Sequence, residues 1–212
     1  MKLYTCAGSR GLRVTWTLEE LGIDYDLEAL AWPPRQQPHV RSLNPLGTVP
    51  ILVDQDVVLT ESVAITHYLA TRYGVNDLVI AVDEPDYAHF LDFLYHSDAT
   101  LTFPQTVYLR FSLAERERGL EQAGQLYAEW FSARLAKISN RLATRTYLCA
   151  DRFTIADIAI GYAIYLSRRI GLSDKVPSHL QNWFDHLADR DGFRRAMARE
   201  EEAAAALGSA AA

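Results

Sequence analysis

Every strand-like pattern in this sequence lies before residue 60, and from residue 86 onward apolar residues recur only at helical spacing. A change of period from two to about 3.6 partway along a chain restricts the fold to a mixed α/β part followed by an all-helical part. In the first part, residues 2–6 alternate as a short strand, then Val14, Leu18 and Leu21 recur at helical spacing until Gly22, a glycine placed to stop the helix. Tyr25 to Leu30 alternate again. Strand, helix and strand in close succession put the two strands parallel in one sheet, joined by a crossover helix. Thr48 to Val53 and Val57 to Leu59, separated by Asp54-Gln55-Asp56, form a hairpin, and Thr60-Glu61-Ser62 opens a helix with Ile65, Tyr68 and Leu69 on one face. The intervening Trp32-Pro33-Pro34-Arg35-Gln36-Gln37-Pro38 is too rich in proline for regular structure and is expected as surface loop.

The periodicity lapses from 75 to 86, so the expected division is a domain over 1–74, a linker over 75–86 and a helical domain over 87–212. Helices are expected over about 86–111, 120–145, 154–171 and 177–190. The third starts at a capping box, Thr154-Ile155-Ala156-Asp157, with Phe153 placed to staple onto Ile158. The closing EEEAAAALGSAAA is a low-complexity tail that either extends a helix or frays.

With 212 residues, 49% hydrophobic and 23% charged, the chain has the composition of a globular protein able to bury two cores. A net charge of −6 and basic runs no longer than pairs such as Arg168-Arg169 argue against nucleic acid. No run reaches the ~18–20 apolar residues of a membrane helix. The start MKLYTCAGSRG enters a strand without a signal-type core, so the expected compartment is cytoplasmic. Cys6 and Cys149 form neither a CxxC pair nor a metal set and are expected as reduced thiols. His89, Asp92 and His96 share a helix face but lack a fourth ligand, so no metal is expected.

Three segments carry chemistry. Val49-Pro50 begins an apolar strand after a turn-rich stretch, a place where a cis bond turns the chain; Val49 would then offer its backbone N–H and C=O to an extended ligand as one more strand. The plainer role is structural. Glu61-Ser62 stands at a helix N-terminus, where free N–H groups receive a carboxylate and Glu61 an ammonium, which suits an α-amino acid head group; simple N-capping by Thr60 or Ser62 is the alternative. The turn Cys6-Ala7-Gly8-Ser9-Arg10-Gly11 joins the first strand to the first helix, where a thiolate would be stabilised by the Ser9 hydroxyl and the helix dipole. The alternatives are an N-cap for Ser9 and a buried small hydrophobe for Cys6.

The order and spacing of these pieces resemble the glutathione S-transferase family over nearly the whole chain: the strand LYT, the entry Ser9-Arg10-Gly11-Leu12-Arg13-Val14, the run Asn44-Pro45-Leu46-Gly47-Thr48-Val49-Pro50-Ile51-Leu52, Glu61-Ser62, and the capped Phe153 to Asp157. The resemblance implies an α/β thioredoxin-like N-terminal domain plus an all-α C-terminal domain, a homodimer, a role in detoxification and glutathione as co-substrate. It implies a cis Pro50, Val49 holding the glutathione cysteine, Glu61 and Ser62 holding the γ-glutamyl end, and Ser9 as activating hydroxyl of a serine-type member. Gln37 and His39 stand where relatives place a residue for the glycyl carboxylate, and Arg10 where some bacterial relatives have a cysteine. The second substrate would be a small hydrophobic electrophile, with Arg10, Phe103, Tyr108 and Phe111 as its pocket residues. Two other functions remain open at this level: a thiol transferase using Cys6 as nucleophile, decided by whether Cys6 is exposed with a lowered pKa or buried, and a non-catalytic interaction module.

Overall fold

A computed structural model describes residues 1–74 and 77–210. Of the expected linker, 75 and 76 lie outside the described residues, as do 211 and 212 of the tail. Packing groups the chain into two compact units, Met1–Asn76 with Ala188–Ala212, and Asp77–Leu187.

In the first unit the strands β1 (Lys2–Thr5), β2 (Asp26–Ala29), β3 (Ile51–Asp54) and β4 (Val57–Leu59) form one sheet in the order β2-β1-β3-β4. β1 and β2 run parallel, Leu3 beside Leu27, as the crossover through α1 (Leu12–Leu21) requires; β3 pairs antiparallel with both β1 and β4. Leu3 and Thr5 point into the core while Lys2 and Tyr4 stay half-buried, the alternation of a strand covered on one face. α1 ends where Gly22 takes φ 65° and its N–H bonds back to the Leu18 carbonyl, a left-handed stop that costs glycine nothing. Leu12, Val14, Trp16 and Leu18 of α1, Ile51 and Leu52 of β3, and Ile65 and Leu69 of α3 (Ser62–Tyr73) are at most 1% exposed. Each such side chain contributes about 1.5–3 kcal/mol by leaving water.

One segment differs from its sequence expectation, and the tail takes the helical one of its two alternatives. The proline-rich loop contains a 3-10 turn, Pro34–Gln36, and runs into a short helix, α2 (Pro38–Leu43). Pro38 occupies the first turn, where a missing N–H costs nothing, and fully buried Val40 anchors the helix. The tail is ordered helix: α9 (Asp191–Ala210) packs on α1, with Phe193 edge-on to Trp16 at 4.8 Å and Arg190 bidentate on Glu20 at 2.8 Å. The closing helix thus groups with the sheet although its sequence follows the helical region directly.

In the second unit one helical path carries α4 (Tyr87–Tyr95), a π-helical stretch His96–Thr102, α5 (Phe103–Tyr108) and a second π-helical stretch Leu109–Ala114. α6 (Glu121–Leu142), α7 (Ile155–Arg169) and α8 (Ser178–Ala188) follow. Every residue of α7 from Ile155 to Ser167 is buried, the mark of a central helix, and it packs on α4 and on the first π-helical stretch. Its start is the expected capping box: the Thr154 hydroxyl accepts from Ala156 N–H, and Asp157 accepts from Thr154 N–H at 2.9 Å and from Leu148 N–H at 2.9 Å. Burial raises the Asp157 carboxyl to about 7 against the pull of those donors. No described helix is long and apolar enough to cross a membrane.

Candidate functional site

The turn after β1 closes with Ser9 N–H on the Cys6 carbonyl at 3.0 Å. Gly8 takes φ 72°, open to glycine, and so swings the chain into α1. Half-buried Ser9 accepts at Oγ from Gly11 N–H, 3.2 Å away, and its Oγ lies 3.2 Å from Thr5 Oγ1. Thr5, 1% exposed, also donates to the Cys6 carbonyl at 3.3 Å. With Gly11 donating into its oxygen, Ser9 keeps its own proton to give, and a hydroxyl rotates to whichever acceptor stands before it. Gly11 is fixed by space: a Cβ there would overlap Thr5 Oγ1.

Cys6 ends on the buried side of the test set by the sequence. It is 7% exposed, in a cluster with Leu30, Val40 and Ile51, and burial, aided by the charge of Glu200, pushes its thiol up to about 11. A thiol held so far above neutrality is a poor nucleophile. Val49, half-buried, packs on that same cluster, so the end of β1 and the Val49-Pro50 corner share one wall. The Val49-Pro50 peptide is cis, as is Trp32-Pro33. Val49 precedes β3 and lies outside the ladder.

At α3 the N-cap position is Glu61, and no side chain caps the helix. The capping alternative for Thr60 and Ser62 is therefore not what they do. Glu61 is exposed. Ser62, 3% exposed, accepts at Oγ from Arg13 Nη1 at 3.0 Å. Arg13 is fully buried in α1, so a guanidinium charge sits beside the uncapped N–H groups of α3, an arrangement suited to a carboxylate. Thr5 and Arg13 are the site residues the motifs did not single out. Arg13 stood inside the quoted entry sequence, and a buried-face arginine on α1 was its one available signal.

The remaining candidates lie on several elements of the two units. Half-buried Gln37 precedes α2, and exposed His39 on α2 bonds Glu28 at 2.9 Å. Arg10 belongs to the first unit; Phe103, Tyr108 and Phe111 belong to the second. Phe103 is 52% exposed and meets Tyr127 edge-on, Tyr127 lies 5.0 Å from Trp130, and Arg134 covers Trp130 at 4.0 Å. Asp92 pairs with Lys137, and half-buried His96 has its pKa lowered by burial. Among the described residues no three or more His, Cys, Asp or Glu side chains gather as a metal site.

Models of the glutathione S-transferase N-terminal domain and C-terminal domain match residues 9–72 and 114–186. Glutathione S-transferase 3 of Zea mays is 31% identical over 93% of this chain and 93% of its own. Glutathione S-transferase 3 of Schizosaccharomyces pombe is 27% identical over 94% of this chain and 88% of its own. A sphingomonad glutathione S-transferase solved with glutathione shares the fold at a TM-score of 0.80 and 22% identity, covering 95% of this chain and 99% of that one. Matched at both ends by its domain models and along its length by these relatives, the chain belongs to the glutathione S-transferase family.

Proposed function

We propose that this glutathione-dependent transferase holds the glutathione thiolate against the Ser9 hydroxyl and directs it at a small hydrophobic electrophile. The observation that carries the reading is the contrast in one turn: Ser9 Oγ is half-buried and primed by Gly11 N–H, while the Cys6 thiol is buried and raised to about 11. A hydrogen bond to a charged acceptor contributes about 1.5–3 kcal/mol. Given to a thiolate, that equals a pKa lowered by about one to two units, enough to carry an ordinary thiol from about 8.5 to near neutrality. The start of α1, directly after the turn, adds the favourable end of its dipole.

In this reading Val49, turned by Pro50, pairs its backbone with the glutathione cysteine. Glu61 receives the γ-glutamyl ammonium, and Ser62 with the first N–H groups of α3 receives the carboxylate, Arg13 supplying positive charge behind Ser62. Gln37 and His39 are the candidates for the glycyl carboxylate, and Arg10 in the first unit and Phe103, Tyr108 and Phe111 in the second are the candidates for the electrophile. The glutathione-bound sphingomonad relative supports glutathione as the co-substrate here. Catalysis is then nucleophilic attack with the thiolate supplied and positioned.

The test is steady-state conjugation of glutathione to a broad panel of aromatic halides and activated alkenes, beside calorimetric binding of glutathione. Ser9→Ala should lower kcat/KM about 10- to 100-fold with glutathione affinity changed little. Absence of glutathione binding by the wild type would contradict the reading.

A further inference from the structure

Three consecutive glutamates, Glu200, Glu201 and Glu202, lie on α9; the latter two are exposed and Glu200 is 3% exposed. Its carboxylate accepts from Gly8 N–H at 2.8 Å and from the Thr15 hydroxyl at 3.0 Å, partners 192 and 185 residues away. Gly8 is the residue before Ser9 and sits at the left-handed corner of the turn, and Thr15 lies one helical turn into α1. Burying a carboxylate is costly unless donors meet it, and an apolar residue would dock the helix more cheaply. What the carboxylate adds is directional: one buried group accepts from both the Gly8 N–H and the Thr15 hydroxyl and so ties the turn to α1. α9 and the Arg190 just before it are clamped to α1 and to Tyr25: Arg190 on Glu20, Arg195 on Glu19 at 3.0 Å, and Arg199 donating to the Tyr25 carbonyl at 3.0 Å. The carboxylate is thus delivered by a rigid strut.

We propose that Glu200 is a positioning residue for the thiol site: by holding Gly8 and Thr15 it fixes the turn from Cys6 to Gly11 so that Ser9 presents its hydroxyl to the glutathione sulfur. The inference rests on Ser9 being the activating hydroxyl. Glu200 does not touch the reacting atoms in this account, and its charge works against any anion in the turn, as its contribution to the raised Cys6 thiol shows. The two influences have opposite signs, and that makes the role measurable.

The readout is the apparent pKa of the bound glutathione thiol, followed by thiolate absorbance as pH is varied, in wild type, Glu200→Gln, Glu200→Asp and Ser9→Ala, and in Glu200→Gln combined with Ser9→Ala. Positioning predicts a rise of about half to one unit, or about three- to tenfold less thiolate below the pKa, in both Glu200 variants. Glutathione affinity should stay within about threefold, and once Ser9 is alanine Glu200→Gln should add no rise, leaving only the small fall from its lost charge. A fall in Glu200→Gln with no change in Glu200→Asp would mean that only the charge matters, and would overturn the proposal. So would lowered thermal stability with the thiol pKa unmoved, the pattern of a purely structural residue. If Ser9→Ala alone leaves the thiol pKa unchanged, the serine reading fails and the proposal with it, a result separable from failure of Glu200 alone. Should Glu200→Gln not fold, Thr15→Val removes one donor while leaving the carboxylate in place and should give a smaller rise; no rise there overturns the proposal.

Discussion

Gly11→Ala isolates the packing that holds Ser9. A methyl group on Gly11 would overlap Thr5 Oγ1 and stand 2.7 Å from Thr5 Cβ, whereas carbon atoms in contact prefer about 3.5–4.0 Å. Rotating Thr5 about χ1 moves its hydroxyl but not its Cβ, so the end of β1 or the start of α1 must shift by about 1 Å. Gly11 has φ −59°, so alanine meets no left-handed strain and the whole cost is overpacking, about 1–3 kcal/mol. Because Thr5 Oγ1 is also the neighbour of Ser9 Oγ, the same shift displaces the activating hydroxyl. Gly22→Ala provides the comparison: at φ 65° with nothing within 4 Å of its new methyl, it costs about 1–2 kcal/mol of backbone strain far from the turn. Urea denaturation and conjugation kinetics on both variants should show comparable losses of stability, with kcat/KM reduced at least about tenfold in Gly11→Ala and nearly unchanged in Gly22→Ala. A Gly11→Ala protein as stable and active as wild type, or equal loss of activity in both, would refute the argument.

Cys6 and Cys149, with thiols pushed up to about 11 and about 12, should resist alkylation of the native protein. At pH 8 the Cys6 thiolate fraction is about one part in a thousand, so iodoacetamide followed by intact-mass measurement should show no fast adduct, and a rapid adduct at Cys6 would bring back the thiol-transfer mechanism. Asp157 sets a pH dependence. Its folded carboxyl, raised from 3.8 to about 7, binds a proton that the unfolded chain has lost, so its contribution to stability is full below about pH 4 and declines as pH rises toward 7. Asp157→Asn should therefore cost more stability at pH 5 than at pH 8 by urea denaturation, and a cost that grew with pH would contradict the raised pKa.

Much of the first unit was legible because its signals are local. Alternation in residues 2–6, the i, i+4, i+7 spacing of Val14, Leu18 and Leu21, and a glycine stop specify strand and helix without reference to distant parts of the chain. The Asp157 box was legible for the same reason. α2 was not, because Pro38 reads as a breaker in sequence and only its place at the first helical turn makes it harmless. The π-helical stretches were not, since the apolar spacing around Leu101 and Phe111 fits an α-helix equally well. At the site, Ser9, Val49 and Ser62 could be singled out, yet the groups that fix them could not. Arg13 meets Ser62 across 49 residues and Glu200 meets Gly8 across 192, and a run of three glutamates gives no hint which of them turns inward. Contacts of that kind are made by the fold and leave no periodicity behind.

The most direct test of the central claim is the thiolate absorbance of bound glutathione titrated against pH in wild type, Ser9→Ala and Cys6→Ala. The Ser9 account predicts a bound-thiol pKa about one to two units below that of free glutathione in wild type and in Cys6→Ala, returning toward the free value in Ser9→Ala. A shift that survives in Ser9→Ala and disappears in Cys6→Ala would contradict it.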